Sequence, residues 1–378
     1  MRAAAPAQRD DHVAYHREMM AFAEKLYSAR DMMPHRYVFI LTNKCNLKCP
    51  FCFQKKDHSS NNMSTDDWLR VVEQLPDYAW ITLTGGEPFL FKGFEAVFHA
   101  VSKLHGCNII TNGLLLTEPL MELLLSQPRF AVLSISVDSV GNTVRGVKPD
   151  QWEHTVKNLR LFSAKRDENG SSTLLDAKTM VLDENAGDLF EIHRYCMETL
   201  GCNTHGFQLL KGSPLQHADT MSPIEAIHKC INSRTYSRLA TIQEQFELVR
   251  RYNRQTGSRC FTHPSIVDLN GEEPIESFDL GYMNLSEHKR ENYLPCKMPW
   301  ESVHINSDGS LFPCMAVGMG NVKTQLLRDI INGSLFNDFK STIKDRGTVT
   351  GCHRCGYLKP REELLAPTRK TSSVGRVS

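Results

Sequence analysis

Short apolar runs alternate with amphipathic stretches over the first half of the chain. The apolar runs have the length and composition of buried strands, which are predicted at residues 37–42, 79–84, 107–111, 131–137, 174–182 and 206–210. Between them apolar residues recur at helical spacing, which predicts helices at residues 65–75, 93–104, 117–126, 151–166 and 187–200. This alternation predicts an α/β fold with a parallel sheet. The pattern alone does not distinguish an open barrel from a doubly wound sheet.

The pattern is different on either side of this region. A helix is predicted over residues 11–29, and residues 222–257 are mostly helical in pattern. Residues 259–295 are rich in Gly, Pro, Asn and Asp and are predicted to form a connector. The stretch "VHINSDGSLFPC" predicts a hairpin, and a helix follows near residues 323–342. The tail "APTRKTSSVGRVS" is polar and predicted to be disordered.

Composition excludes several classes of function. A formal charge of +1 over 378 residues gives no reason to expect nucleic acid or an anionic membrane as a partner. No apolar run is long enough to span a bilayer, and the first twenty residues lack the apolar core of a secretion signal. A cytoplasmic location is therefore expected.

The chain has 12 cysteines, which in the cytoplasm do not indicate a disulfide framework. Five are scattered and are predicted to be small buried hydrophobic residues: Cys107, Cys196, Cys202, Cys230 and Cys260. The other seven are grouped by spacing into an early set and a late set.

The early set is Cys45, Cys49 and Cys52, directly after the first predicted strand. Loops at the carboxyl ends of parallel strands line active sites. Three thiolates there could bind three irons of a cubane cluster, or zinc with a distant fourth ligand. Spacing alone favours neither.

Polar motifs also end the next three strands. The two glycines of "TGGEP" would let the backbone approach a ligand closely, and Glu87 offers a carboxylate to an ammonium group. "TNG" at 111–113 ends the third strand, and Ser136 and Asp138 end the fourth. These groups are predicted to meet beside the cysteines.

Together, "CNLKCPFC" with its CxxxCxxC spacing, "GGEP" and "SISVD" resemble the radical S-adenosylmethionine (SAM) superfamily over residues 36–212. The resemblance implies a partial (β/α)6 TIM-like barrel. It also implies a [4Fe–4S] cluster on Cys45, Cys49 and Cys52, with SAM as ligand of the fourth iron. One electron from the cluster would cleave SAM, and the 5′-deoxyadenosyl radical would take a hydrogen atom from the substrate.

The resemblance assigns further residues to SAM. Glu87 and the preceding glycine backbone would bind its ammonium group, and an aromatic residue would lie near its adenine. The complete set of residues expected to contact SAM is Phe51, Gly85, Gly86, Glu87, Ser136, Asp138 and Gln208.

The late set is Cys296, Cys314, Cys352 and Cys355. Four thiolates saturate either a zinc ion or a cubane cluster. The surrounding sequence, with Gly309 four residues before its cysteine, resembles the auxiliary-cluster modules called SPASM and twitch. Because no cysteine follows Cys355, the resemblance implies one fully ligated auxiliary [4Fe–4S] cluster, as in twitch, with a role in electron transfer.

The expected reaction is a two-electron oxidation of a small polar, sugar- or cyclitol-like molecule, with the auxiliary cluster as electron acceptor. The alternative is a maturase that crosslinks, epimerises or oxidises a ribosomal peptide. A non-catalytic iron–sulfur or zinc protein is a third hypothesis. The expected partners are a small-molecule or peptide substrate and an electron donor such as flavodoxin or ferredoxin. No base is assigned among the candidates Arg145, His205, Lys211 and His304.

Five segments are expected from these patterns. They are an N-terminal helical extension, the barrel, a helical segment with connector, the auxiliary-cluster domain and a polar tail, at residues 1–35, 36–212, 213–295, 296–360 and 361–378.

Overall fold

Ten strands form one sheet in the order β10-β9-β8-β1-β2-β3-β4-β5-β6-β7. The structure, a computed structural model, describes residues 22–29, 32–52, 62–209, 236–263, 267–272, 290–313, 317–347 and 359–361. The run from β8 through β1 to β7 is parallel throughout, and β9 and β10 continue the sheet antiparallel. Among the described residues, β7 and β10 each pair on one side only, so the barrel is open.

All six predicted strands are present. They are β1 (Arg36–Ile40), β2 (Trp80–Thr84), β3 (Gly106–Thr111), β4 (Phe130–Ser136), β5 (Leu174–Val181) and β6 (Thr204–Leu209). The remaining four are β7 (Cys260–His263), β8 (Ser302–Ile305), β9 (Ser310–Phe312) and β10 (Gly320–Asn321).

Two parallel strands were not expected. β7 lies in the segment predicted to be a connector, where its four residues are too few to give a pattern. β8 lies in the C-terminal part and pairs with β1, so that Arg36 lies beside Ser302. The predicted hairpin is confirmed as β8 and β9, with His304 opposite Phe312. The C-terminal part therefore extends the same sheet.

Helices separate the parallel strands as predicted. In chain order they are α1 (22–28), α2 (Thr65–Val72), α3 (Phe94–Leu104), α4 (Glu118–Leu125), α5 (Pro149–Glu168), α6 (Leu189–Glu198), α7 (Leu239–Thr256), α8 (Met298–Glu301), α9 (Leu327–Ile331) and α10 (Ser334–Arg346). The helix predicted near 323–342 is thus divided into α9 and α10. The predicted tail lies outside the described residues. None of the described helices has the length and hydropathy needed to cross a bilayer.

The two faces of the sheet differ in chemistry because side chains alternate along each strand. Tyr37 and Phe39 point to the outer face, where Phe39 packs on Trp68 of α2 with ring centroids 4.8 Å apart. The inner face is polar. There the Asp176 carboxylate on β5 accepts hydrogen bonds from Ser134 of β4 (2.9 Å) and Thr204 of β6 (2.7 Å).

Asp176 therefore ties three neighbouring strands together. We expect Asp176→Ala to lower the free energy of unfolding by roughly 2–4 kcal/mol, because the buried Ser134 hydroxyl and the half-buried Thr204 hydroxyl lose a charged acceptor. Urea unfolding of the metal-free protein, followed by circular dichroism, measures the change. The control Glu153→Ala removes an exposed carboxylate from α5 and should change stability by less than about 0.5 kcal/mol. Equal midpoints for the two variants would contradict the role of Asp176.

Candidate active site

The three early cysteines lie in the loop that follows β1. Cys49 is buried, and Cys45 and Cys52 are half-buried. The backbone turns tightly, with the Cys52 N–H donating to the Cys49 carbonyl at 3.2 Å. The Leu47 N–H donates to the Cys45 sulfur at 3.4 Å, a contact that favours the thiolate. The loop thus holds three sulfurs at the carboxyl end of a central strand.

The "TGGEP" segment after β2 packs directly against this loop. Its main chain donates to the loop from Gly86 N–H to Thr42 O (2.7 Å) and from Glu87 N–H to Lys44 O (2.8 Å). A Cβ atom on Gly85 would lie 2.6 Å from Thr42 O, and one on Gly86 would lie 2.2 Å from Lys44 O. Both glycines are therefore required for the approach of two backbones.

Glu87 joins this contact to the end of β3. Its carboxylate is fully buried and accepts hydrogen bonds from the Thr111 hydroxyl (2.7 Å) and the Asn112 N–H (2.9 Å). The Asn112 side chain in turn donates to Asn46 in the cysteine loop at 2.8 Å. The ends of β1, β2 and β3 therefore form one polar network, as the motifs predicted. Within the described residues, Glu87 Oε2 accepts only one hydrogen bond and retains an acceptor position for an ammonium group.

Burial controls the protonation of this network. Desolvation raises the pKa of Glu87 to about 7, against the opposing hydrogen bonds from Asn112 and Thr111. Burial also raises the pKa of the Cys45 thiol, and the nearby Glu87 carboxylate raises it further. For Cys49, burial raises the thiol pKa while Arg145 opposes that change. Deprotonated sulfurs at this site thus require a positive partner.

Arg145 is the residue that the sequence reasoning missed, having considered it only as a base. Its guanidinium pairs with Asp138 (Nε to Oδ2, 2.5 Å), lies 3.9 Å from the Cys49 sulfur and stacks 5.4 Å from the centre of the Phe51 ring. The available signal was the turn "VGNTVRG", in which Asn142 has φ 55° and its amide bonds the Ser136 carbonyl at 2.9 Å. That turn brings Arg145 back over the cysteines.

Some of the residues predicted to contact SAM lie beside the cysteine loop, and others do not. Phe51 is buried beside Arg145, and Ser136 is buried at the end of β4. Both Asp138 oxygens are occupied, one by Arg145 and one by the Met180 N–H at 2.5 Å, so a ribose would have to share that carboxylate. Gln208 lies on β6, five strands from β1 in the sheet, and donates to the His263 carbonyl of β7 at 3.2 Å.

Only one of the four late cysteines lies within the described residues. Cys296 is half-buried, whereas Cys314, Cys352 and Cys355 lie outside the described residues. Gly309, which the spacing singled out, ends the β8–β9 turn with φ +87°, and a Cβ atom there would lie 2.6 Å from Asn321 Oδ1. Among the base candidates, Lys211 is also undescribed, and His205 is buried against α6, where it contacts His193.

The early site fits an iron–sulfur cluster chemically. Its donors are three thiols; burial raises the pKa of the Cys45 and Cys49 thiols and so disfavours their free thiolates, and a bound metal supplies the compensating positive charge. Three thiolates leave one position of a cubane for a further ligand.

Comparison with known proteins agrees with this chemistry. The radical SAM superfamily model matches residues 39–195, and SPASM, an iron–sulfur cluster-binding domain, matches residues 296–356. The chain is 38% identical over 128 residues to the sporulation killing factor maturation protein SkfB of Bacillus subtilis, covering 32% of this chain and 31% of SkfB. It is 30% identical over 139 residues to AlbA, the antilisterial bacteriocin subtilosin biosynthesis protein of the same organism, covering 35% and 31%. The chain thus spans less than a third of the length of these relatives.

A solved structure extends the likeness of the fold beyond those segments. Streptococcus suis SuiB bound to its precursor peptide SuiA superposes with a TM-score of 0.59 at 19% identity, covering 93% of this chain and 76% of SuiB. The fold is therefore the expected partial barrel with a C-terminal iron–sulfur domain. The two family matches identify [4Fe–4S] clusters and SAM as the cofactors. The chain belongs to the radical SAM superfamily and carries a SPASM domain in its C-terminal part.

Proposed function

We propose that this radical SAM enzyme modifies a peptide. One relative at 38% identity is named for the maturation of a sporulation killing factor and another at 30% for the biosynthesis of a bacteriocin, and the fold matches that of SuiB in complex with a precursor peptide. These comparisons support the peptide alternative better than the cyclitol oxidation that the cysteine layout favoured.

The observation that carries the proposal is the open, polar inner face of the sheet. The Lys178 side chain is 45% exposed although it lies over β6, where a Cβ atom on Gly206 would approach its ammonium to 3.1 Å. His263 on β7 is likewise exposed, and its pairing with Gln208 places it on the same face of the sheet. A polar, solvent-exposed inner face suits an extended polar chain.

Different side chains at the carboxyl end of the sheet would bind the different parts of the cluster and of SAM. When bound, the cluster and SAM supply an electron and a radical that removes a hydrogen atom from the substrate. Cys45, Cys49 and Cys52 would bind the irons, and Arg145 offsets the negative charge of their thiolates. Glu87 would accept hydrogen bonds from the SAM ammonium group, and the Phe51 ring would border the adenine.

The late cysteines would hold the auxiliary cluster. In this proposal Cys296, Cys314, Cys352 and Cys355 would ligate it fully and leave no position for the substrate, and the cluster would supply an electron acceptor. A hydrogen atom, a proton and an electron leaving the peptide together make a two-electron oxidation.

The substrate class can be tested with the peptides that short open reading frames beside the gene encode. The reduced, reconstituted enzyme with SAM should form 5′-deoxyadenosine faster when the corresponding peptide is added, and the peptide should lose two hydrogens by mass spectrometry or gain deuterium from heavy water. Aminocyclitols serve as the comparison. Stimulation by a cyclitol and by none of the peptides would contradict the proposal.

The metal assignment predicts about eight irons per reconstituted chain, in two cubanes. Changing Cys45, Cys49 and Cys52 together to Ala should leave about four irons, because the late set is intact. The control Cys107→Ala removes a buried cysteine from β3 and should keep the full number. Iron analysis and absorbance near 400 nm make the measurement; full iron content in the triple variant would exclude the early site.

The SAM assignment predicts that Glu87→Gln weakens SAM binding by roughly 10- to 150-fold, the loss of one buried charged hydrogen bond. Because the pKa of Glu87 is about 7, its ionised fraction rises through the neutral range. Raising the pH from 6 to 7.5 should therefore strengthen SAM binding roughly eightfold in the wild type and leave the variant unchanged. Calorimetry measures both affinities, with Glu153→Gln as the control. A wild-type affinity independent of pH would remove Glu87 from the SAM site.

A further inference from the structure

A second cluster of possible metal ligands lies on the outer face of the sheet. His193 on α6, His205 on β6 and Cys260 on β7 are each fully buried. One ligand atom from each lies within 4.8 Å of the other two. The cluster is not part of the cysteine network after β1.

The hydrogen bond of His193 to α7 fixes where its proton lies. His193 Nε2 is 2.8 Å from Asn253 Oδ1, and the Asn253 amide nitrogen donates to the Leu269 carbonyl at 2.9 Å. Because the Asn253 nitrogen is the donor in that bond, its oxygen must accept. His193 therefore carries its hydrogen on Nε2 and presents a bare Nδ1 when neutral.

His205 is fixed in the same way by β5. Its Nε2 is 2.8 Å from the Thr179 hydroxyl oxygen, and that hydroxyl donates its single hydrogen to the Val137 carbonyl. His205 must therefore donate to Thr179 from Nε2, which leaves its Nδ1 bare as well.

The two bare nitrogens face each other at 3.0 Å. The ring planes are 8° from parallel and the ring centroids are 5.2 Å apart. Both Nδ1 atoms therefore lie close to the line that joins the two centroids. Four contacts at hydrogen-bond distance connect Asn253, the two histidines, Thr179 and Val137 in series, and each needs one hydrogen. Two neutral imidazoles and one hydroxyl supply only three hydrogens, so the contact between the two Nδ1 atoms has none. A fourth proton would have to be held against burial, which lowers the pKa of His193 to about 4 and that of His205 well below its usual value. At neutral pH the pair lacks a cation.

We propose that His193, His205 and Cys260 bind one zinc ion. Imidazole nitrogen and thiolate sulfur are the ligands that zinc prefers, and zinc-bound histidines donate their other ring N–H to a fixed acceptor, as Asn253 and Thr179 already provide. Zinc–nitrogen bonds of about 2.0–2.1 Å in a tetrahedral site place two nitrogens about 3.3 Å apart, close to the observed separation. The ion binds as both rings tilt towards Cys260, and it displaces the Cys260 thiol proton to solvent without any change of oxidation state.

The ion would connect three elements at the open end of the sheet. α6, β6 and β7 each contribute one ligand, and α7 contributes the supporting Asn253. Asp176 and Lys178 also act on Cys260 electrostatically, and they are paired with each other at 2.9 Å, so neither charge acts alone on the site.

The test uses the enzyme with its iron–sulfur clusters loaded and freed of zinc by dialysis. Titration with zinc against a chelating dye should show one equivalent bound per chain in the wild type and in Cys107→Ala, which removes a matched buried strand cysteine. Cys260→Ala should bind zinc at least about 100-fold more weakly. Circular dichroism and iron content verify that each variant is folded.

If Cys260→Ala does not fold, X-ray absorption at the zinc edge tests the proposal on the wild-type protein alone. We expect two nitrogens near 2.0–2.1 Å and one sulfur near 2.3 Å around the ion. No zinc uptake, equal uptake in folded Cys260→Ala, or a shell of sulfur alone would overturn the proposal. The last result would place zinc at the cysteines of the iron–sulfur sites instead.

Discussion

The close contact of two backbones is the constraint on which the active site depends. The cysteine loop has no regular structure of its own, and it is held in position because Gly85 and Gly86 allow the chain after β2 to hydrogen-bond to Thr42 and Lys44. A side chain at Gly86 would collide with backbone, which cannot move aside as a flexible side chain can. The two glycines therefore matter for where the cysteines lie, whether or not they also contact a ligand.

Glu87 adds a buried carboxylate at that contact, and burying this charge costs free energy. A buried carboxylate is unfavourable by itself, as its raised pKa shows. The hydrogen bonds from Thr111 and Asn112 reduce the cost, and Arg145 supplies the one close positive charge among these groups. Such a site is electrostatically incomplete and suits a cationic ligand, since an ammonium group would complete the coordination of Glu87.

Sequence reasoning was strongest where the signal is local. The alternation of apolar runs and helical patterns located six strands, and the motifs at the ends of β1, β2 and β3 were correctly expected to meet. Arg145 could not be found in this way, because its approach to Cys49 depends on the left-handed turn at Asn142. The His193–His205 pair was missed because histidines from a helix and a strand give no joint pattern along the chain. β7 was missed because four residues carry too little periodicity.

The pairing of β1 with β8 has a consequence for how the protein is made. β1 is central in the sheet, yet one of its neighbours begins only at Ser302, in the SPASM domain. During synthesis that edge of β1 stays unpaired until β8 has been made, and unpaired edges invite association between chains. The barrel therefore completes its sheet only when the SPASM domain folds against it, so the two domains fold as a coupled unit.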